Sequence, residues 1–97
     1  MGGGLGACHG LDVPLVFGNL RAGQPAMLIG DLTPDAVAIS AQMREAWTAF
    51  ATSGEPGWPT YADGSTRLFD VEPAVTAYPE QVSREIWHEC PRVLDLV

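Results

Sequence analysis

A single long amphipathic helix constrains the fold of this chain more than any other sequence feature. Thr33 is a good N-cap residue, Pro34 suits the first turn of a helix, and the carboxylate of Asp35 is favoured near the positive end of the helix dipole. Apolar side chains then recur at spacings of three and four residues: Ala36, Ile39, Met43, Ala46, Trp47 and Phe50. This pattern predicts a helix with one buried face that runs to about Thr52 and ends at Gly54.

The segments before this helix predict little regular structure. Residues 2–6 are rich in glycine and indicate a flexible approach to the rest of the chain. Residues 11–17 mix apolar side chains with one proline, which indicates a short extended or irregular buried segment. The glycine and proline residues within 18–25 predict a loop.

The second half of the chain predicts a small β-hairpin and a shorter helix. Asp63-Gly64 is a tight-turn signal between an extended segment at 57–61 and a strand at 67–71. Pro79-Glu80 opens the helix, and Pro91 stops it. The residues expected to pack from this helix are Val82, Ile86 and Cys90 on one face, with Trp87 alongside. The tail at 93–97 is apolar enough to need a partner surface.

Together these elements are not expected to form a stable independent domain. A chain of 97 residues supports one small domain at most. An isolated hairpin is marginal in water, and the apolar leading segment needs neighbouring structure. We therefore expect this material to pack against something larger.

The composition excludes some classes of function. The net charge is −7 and all five basic residues are arginine, so binding to a phosphate backbone is not expected. No apolar run approaches the roughly 20 residues that a membrane-spanning helix needs. The first residues lack the basic and apolar regions of a signal peptide, which leaves the location of the protein open. Arginine without lysine, with much alanine and glycine, hints at a GC-rich bacterial source.

The two cysteines do not form a disulfide framework, and buried free thiols are the expected state of Cys8 and Cys90. A zinc site that combines them with His9 and His88 has poor spacing. Zinc ligand pairs usually have two to five residues between them, whereas Cys8 and His9 are adjacent. No metal is expected.

His9 stands alone as a candidate for chemistry. A histidine that acts as a general base needs a nucleophile within hydrogen-bond reach and an acid that orients it. No serine of the chain has glycines two places before and after it, so there is no nucleophile elbow. Cys8 is adjacent to His9, and neighbouring side chains in an extended segment point apart. From the residues alone, a structural role for His9 is favoured.

Several ordered blocks of the chain, however, resemble one enzyme family. The first is Gly6-Ala7-Cys8-His9-Gly10-Leu11-Asp12-Val13-Pro14-Leu15-Val16-Phe17-Gly18, which is similar to the histidine loop of type-B carboxylesterases. Further blocks at 43–51, 52–56, 58–61 and 66–70 resemble the C-terminal region of the same family, in the same order. The resemblance extends from about Gly3 to His88.

The resemblance implies that residues 1–97 are the truncated C-terminal part of an α/β-hydrolase domain, incomplete by itself. Its parts are a histidine loop, a long amphipathic helix, a small hairpin and a short helix. His9 would be the general acid and base of a Ser–Glu/Asp–His triad whose serine and acid lie upstream. Gly10 and Asp12 would support the loop, although Asp12 reads equally well as an ordinary capping carboxylate.

The family hydrolyses small carboxylic esters through an acyl-serine, without a metal or organic cofactor. The isolated chain is accordingly expected to be inactive. The alternative is a non-catalytic interaction module descended from an esterase tail. The oligomeric state is left open.

Overall fold

The computed structural model describes residues 3–90 of the chain. Within this range there are four α-helices, one two-stranded antiparallel sheet and two short 3-10 turns. The helices are α1 (Asp12–Phe17), α2 (Gly23–Ile29), α3 (Pro34–Ser53) and α4 (Gln81–Glu89), and the strands are β1 (Ser65–Leu68) and β2 (Ala74–Ala77). The 3-10 turns are Gly3–Leu5 and Tyr61–Asp63.

The long helix α3 confirms the prediction from the sequence, including its cap. The hydroxyl oxygen of Thr33 accepts a hydrogen bond from the backbone N–H of Ala36 at 3.2 Å. At the other end Gly54 adopts φ of 76°, and its N–H donates to the carbonyl of Phe50 at 2.7 Å. Both ends are therefore fixed by local chemistry that the sequence displays.

The prediction of an extended segment at 11–17 was wrong, because these residues form α1. Pro14 lies in the first turn of this helix, where a missing N–H removes no intrahelical hydrogen bond. Gly18 closes the helix in the left-handed conformation, with φ of 71°. Pro14 and Leu15 are buried as expected, but the side chain of Phe17 is 78% exposed.

The predicted loop is also shorter than expected, because α2 begins at Gly23. Pro25 is the third residue of this helix, a position that tolerates proline for the same reason as Pro14. Ala22 precedes α2 in an extended conformation. Proline and glycine near each other therefore marked a helix start here rather than a loop.

A β-hairpin is present, but its position was predicted wrongly. β1 pairs with β2, with Ser65 opposite Ala77 and Leu68 opposite Ala74. Residues 57–60 lie in no strand, and Asp63-Gly64 ends a 3-10 turn instead of joining two strands. The Asp63 carboxylate accepts a hydrogen bond from the N–H of Ser65 at 3.2 Å, so this aspartate starts β1.

Helix α4 has the predicted place in the chain, but its apolar side chains are not packed. Val82 is 72% exposed, and Ile86 and Trp87 are each 57% exposed. Cys90, expected on the same buried face, is also exposed. The predicted stop at Pro91 and the apolar tail at 93–97 lie outside the described residues.

The packed core lies where α1 and α2 meet the first half of α3. Its buried members are Leu15, Ile29 and Ile39, which are 4%, 0% and 6% exposed. Partly buried side chains surround them: Leu11, Leu20, Leu32, Met43 and Phe69. The core is thus small and lies toward one end of α3.

The overall dimensions agree with a fold that is incomplete. The radius of gyration is 16.4 Å, whereas a compact domain of this length has about 12.5 Å. No helix within residues 3–90 is long and apolar enough to span a membrane. Within residues 3–90 the architecture consists of four helices, one hairpin and two 3-10 turns around a small core.

Candidate functional site

His9 lies at the corner of a tight turn immediately before α1. The N–H of Leu11 donates to the carbonyl of Cys8 at 3.3 Å, which makes His9 and Gly10 the two central residues of a β-turn. The N–H of Val13 donates to the carbonyl of Gly10 at 3.2 Å and joins the turn to the helix. The side chain of His9 is exposed. The turn therefore presents the imidazole to the outside of the fold.

Gly10 supports this turn through its backbone conformation. Its φ is 80°, which side chains with a Cβ adopt only with strain. A Cβ added at Gly10 would have no atom within 4 Å, so the requirement is conformational rather than steric. Gly10 was predicted to support the histidine loop, and this geometry gives it a means to do so.

Asp12, the other predicted supporting residue, is the first residue of α1 and is exposed. A carboxylate in the first turn interacts favourably with the N-terminal end of the helix dipole. This position agrees with the capping interpretation of Asp12 as well as with a supporting role near His9.

A buried hydrogen bond fixes α1 against α3. The hydroxyl of Ser40 donates to the carbonyl of Leu15 at 2.7 Å, and Ser40 is 1% exposed. Sequence reasoning missed this contact. A signal was present, since Ser40 is the one polar residue that shares the helix face of Ala36 and Met43. The bond attaches α1, and with it the turn that precedes α1, to the long helix.

A side chain of α3 also lies close to the backbone of Gly18, the residue that ends α1. An added Cβ at Gly18 would lie 2.9 Å from Cδ of Arg44, a side chain on α3. Any other residue at position 18 therefore requires Arg44 to move. Gly18 was predicted only as a loop residue, and its packing against Arg44 could not be foreseen from the sequence.

The described residues do not complete a catalytic group around His9. The hydroxyl of Ser40 is engaged with Leu15, and that of Ser53 donates to the carbonyl of Ala49 at 3.1 Å. Within residues 3–90 no group of three or more His, Cys, Asp or Glu side chains is arranged to hold a metal ion. Cys8 and Cys90 are free thiols, as expected, but Cys8 is half-buried and Cys90 exposed, so their predicted burial was wrong.

Trp47 and Phe50, whose spacing on α3 predicted burial, are instead more than half exposed. The rings of Trp47 and Trp58 lie 5.7 Å and 5.9 Å from that of Phe69, measured between centroids. Trp47 remains 51% exposed and Phe50 59% exposed. The predicted helix is present at these residues, but neighbouring residues cover this side of α3 only in part.

The sequence of the chain is similar to those of two enzymes whose names state an activity. No family model matches the chain. It is 33% identical over 86 residues to para-nitrobenzyl esterase of Bacillus subtilis (strain 168), an overlap of 81% of this chain and 17% of that protein. It is 35% identical over 66 residues to phenmedipham hydrolase of Pseudarthrobacter oxydans, covering 61% of this chain and 13% of that protein.

Solved structures give the same result. A PNB esterase matches with a TM-score of 0.67 at 29% identity, and a thermophilic PNB esterase matches with 0.66 at 33% identity. Each match covers 79% of this chain and 17% of the solved chain. The chain thus spans less than a fifth of the length of these relatives. Its homologues belong to the type-B carboxylesterase family, and the chain matches a C-terminal segment of them.

Proposed function

We propose that this chain is the C-terminal part of a carboxylic ester hydrolase domain and that His9 is its general acid and base. The observation that carries the proposal is the exposed imidazole of His9 at the corner of a β-turn held by the Cys8–Leu11 hydrogen bond. A catalytic base must be accessible and must also be held in a defined direction. The turn gives the first property, and the bond between Ser40 and Leu15 supports the second.

In the proposed reaction a serine from the preceding part of the domain attacks the ester carbonyl. His9 takes the proton of the serine hydroxyl as the new C–O bond forms, and then gives it to the leaving alcohol. Water next attacks the acyl-serine, with His9 again taking and returning a proton, and the carboxylic acid is released. A carboxylate from the preceding part orients the imidazole, and backbone N–H groups stabilise the oxyanion. No metal ion or organic cofactor takes part.

The substrate class is a small carboxylic ester. Two relatives are a para-nitrobenzyl esterase and a phenmedipham hydrolase, and the substrates in these names are those of the relatives. For this chain we propose only the reaction class, ester hydrolysis. The isolated chain is expected to be inactive, because a general base without a nucleophile has nothing to activate.

A chimera tests the role of His9. This chain replaces the matching segment of the B. subtilis para-nitrobenzyl esterase, and release of alcohol from a para-nitrobenzyl ester is measured. His9→Ala is expected to lower kcat by about 10⁴-fold or more, since loss of a triad histidine removes most of the catalytic effect. Activity of the His9→Ala chimera equal to that of the parent chimera contradicts the proposal.

His88→Ala is the matched control. His88 lies near the end of α4 and is exposed like His9, but it has no place in the proposed mechanism. The control is expected to retain the kcat of the parent chimera. The 97-residue chain alone should release no more alcohol than buffer does.

A further inference from the structure

Ser40 is a polar residue buried in the face of α3 that packs on α1. It is 1% exposed, and the other small buried residues of this helix are the alanines Ala36 and Ala46, at 0% and 5%. Alanine has a higher helix propensity than serine and leaves no polar group to bury. Helix formation and burial would therefore be served as well by alanine at position 40, so the hydroxyl needs another explanation.

The hydroxyl of Ser40 is engaged at the C-terminal end of α1. It donates to the carbonyl of Leu15 at 2.7 Å. This carbonyl is one of the last four of α1, which lack the partner that a longer helix gives, and the N–H of Gly18 donates to it at 3.3 Å. Ser40 thus supplies the shorter of these two hydrogen bonds. Because a hydrogen bond depends on direction and apolar packing does not, the bond favours one orientation of α1 on α3.

A second contact between the same two helices lies one turn further along α3. A Cβ added at Gly18 would lie 2.9 Å from Cδ and 3.0 Å from Nε of Arg44, so the Arg44 side chain passes close to the backbone that ends α1. Ser40 and Arg44 are four residues apart and therefore share a face of α3. Two contacts, at Leu15 and at Gly18, restrain α1 more than one contact, about which the helix could pivot.

Helix α1 follows the His9 turn without an intervening loop. The N–H of Val13, in the first turn of α1, donates to the carbonyl of Gly10 at 3.2 Å, and the N–H of Leu11 donates to the carbonyl of Cys8 at 3.3 Å. These two bonds link the backbone continuously from residue 8 to residue 13. A displacement of α1 is therefore passed on to His9 rather than absorbed by a flexible connection.

We propose that Ser40 is a positioning residue for His9, which acts through the carbonyl of Leu15 and the turn that precedes α1. The proposal rests on the proposed function, in which His9 moves a proton between the serine and the leaving alcohol. Such a transfer needs hydrogen-bond distances of about 2.6–3.2 Å, and a displacement of about 1 Å lowers the rate steeply. Loss of the Ser40 hydroxyl should therefore slow the reaction, although the hydroxyl is bonded to Leu15 and not to a reacting group.

The chimera with the B. subtilis para-nitrobenzyl esterase tests the proposal. Ser40→Ala is expected to lower kcat and kcat/KM by the same factor, about 10- to 100-fold, with KM unchanged. The two should fall together because His9 moves a proton in acylation and in deacylation but takes no part in substrate binding. The substitution removes one oxygen atom and adds no bulk, so it does not overpack the core.

Ser53→Ala is the matched control. The hydroxyl of Ser53 also donates to a carbonyl, that of Ala49 at 3.1 Å, but this bond is exposed and lies within α3. Ser53→Ala should keep the kcat of the parent chimera. Ile39→Val is the control for stability, because Ile39 is 6% exposed beside Ser40 and its truncation weakens the same core without removing the hydrogen bond. It should leave kcat unchanged.

Hydrogen exchange followed by mass spectrometry reports on the turn independently of activity. The N–H groups of Leu11 and Val13 donate the two bonds that form the turn and join it to α1. In the Ser40→Ala chimera the peptides that contain them should lose protection from exchange, since local opening becomes easier. In the Ser53→Ala chimera their protection should equal that of the parent.

Four results overturn the proposal. They are an unchanged kcat in Ser40→Ala, a raised KM with unchanged kcat, an equal loss of kcat in Ile39→Val, and unchanged protection of the turn. These results are distinct from a failure of the proposed function. An inactive His9→Ala chimera beside a fully active Ser40→Ala chimera rejects the positioning role and leaves the proposed function standing, whereas a fully active His9→Ala chimera rejects both.

Discussion

The two halves of α3 have opposite surroundings. Its first half packs on α1 and shares the core with Ile29 of α2, with Ile39 at 6% and Ser40 at 1% exposure. Its second half carries Trp47 and Phe50, both more than half exposed although they are larger and more apolar. The difference shows that helical periodicity identifies the apolar face of a helix. It does not show whether other residues of this chain bury that face. The helix that follows the histidine turn is bonded to the covered half, and the second half is covered only in part.

The largest expected contrast compares one isoleucine from each environment. Ile29 is fully buried in the core, so Ile29→Ala should lower the free energy of unfolding by about 2–4 kcal/mol through lost burial and a residual cavity. Ile86 is 57% exposed on α4, and Ile86→Ala should change it by no more than about 0.5 kcal/mol. Urea unfolding followed by far-ultraviolet circular dichroism measures both. Equal effects would mean that the described core does not stabilise the chain.

A smaller contrast compares the glycines that end α1 and α3. Gly18 and Gly54 have similar left-handed conformations, so alanine at either position should cost about 1–2 kcal/mol in unfolding free energy. At Gly54 an added Cβ meets nothing within 4 Å, whereas at Gly18 it also displaces Arg44. Gly18→Ala should therefore cost more, again by urea unfolding. In an Arg44→Ala background this extra cost should vanish, and its persistence would show that Arg44 is not the cause.

The smallest expected effect is a pH response confined to the hairpin. The pKa of Asp63 is lowered from its ordinary value of 3.8, mainly because the Ser65 side chain and then the Ser65 backbone N–H donate to the carboxylate. A lowered folded-state pKa means that the contribution is present above the unfolded pKa and is lost as pH falls through the folded value. The Ser65 amide resonance should therefore shift in that acid range. Asp63→Asn should abolish this titration, and a shift that survives would assign it to another group.

The sequence predicted those elements whose signals are local. The cap at Thr33, the apolar spacing of α3 and its end at Gly54 all act within a few residues, and the structure has them as predicted. Pro14 and Pro25 misled the prediction, since proline in a first turn is compatible with a helix as well as with a loop.

The strand pairing and the surroundings of the candidate site could not be predicted in the same way. β2 pairs with β1 across a connection at 69–73 that carries no strong turn signal, while Asp63-Gly64 carries one and joins no strands. For His9, the sequence supplied the family resemblance and the glycine beside it. The hydrogen bond from Ser40 to Leu15 joins residues 25 positions apart, so only the folded chain reveals it.

Helix α3 gives the chain a mechanical property. Twenty residues of α-helix form a rod about 30 Å long, which resists bending over that distance. The hydroxyl of Ser40, in the first half of the rod, is bonded to α1, the helix that follows the His9 turn, and Trp47 and Phe50 lie in the second half. A rotation of the rod about its axis would therefore carry α1 and the turn that precedes it. The position of the His9 turn thus depends on how α3 is held along its whole length.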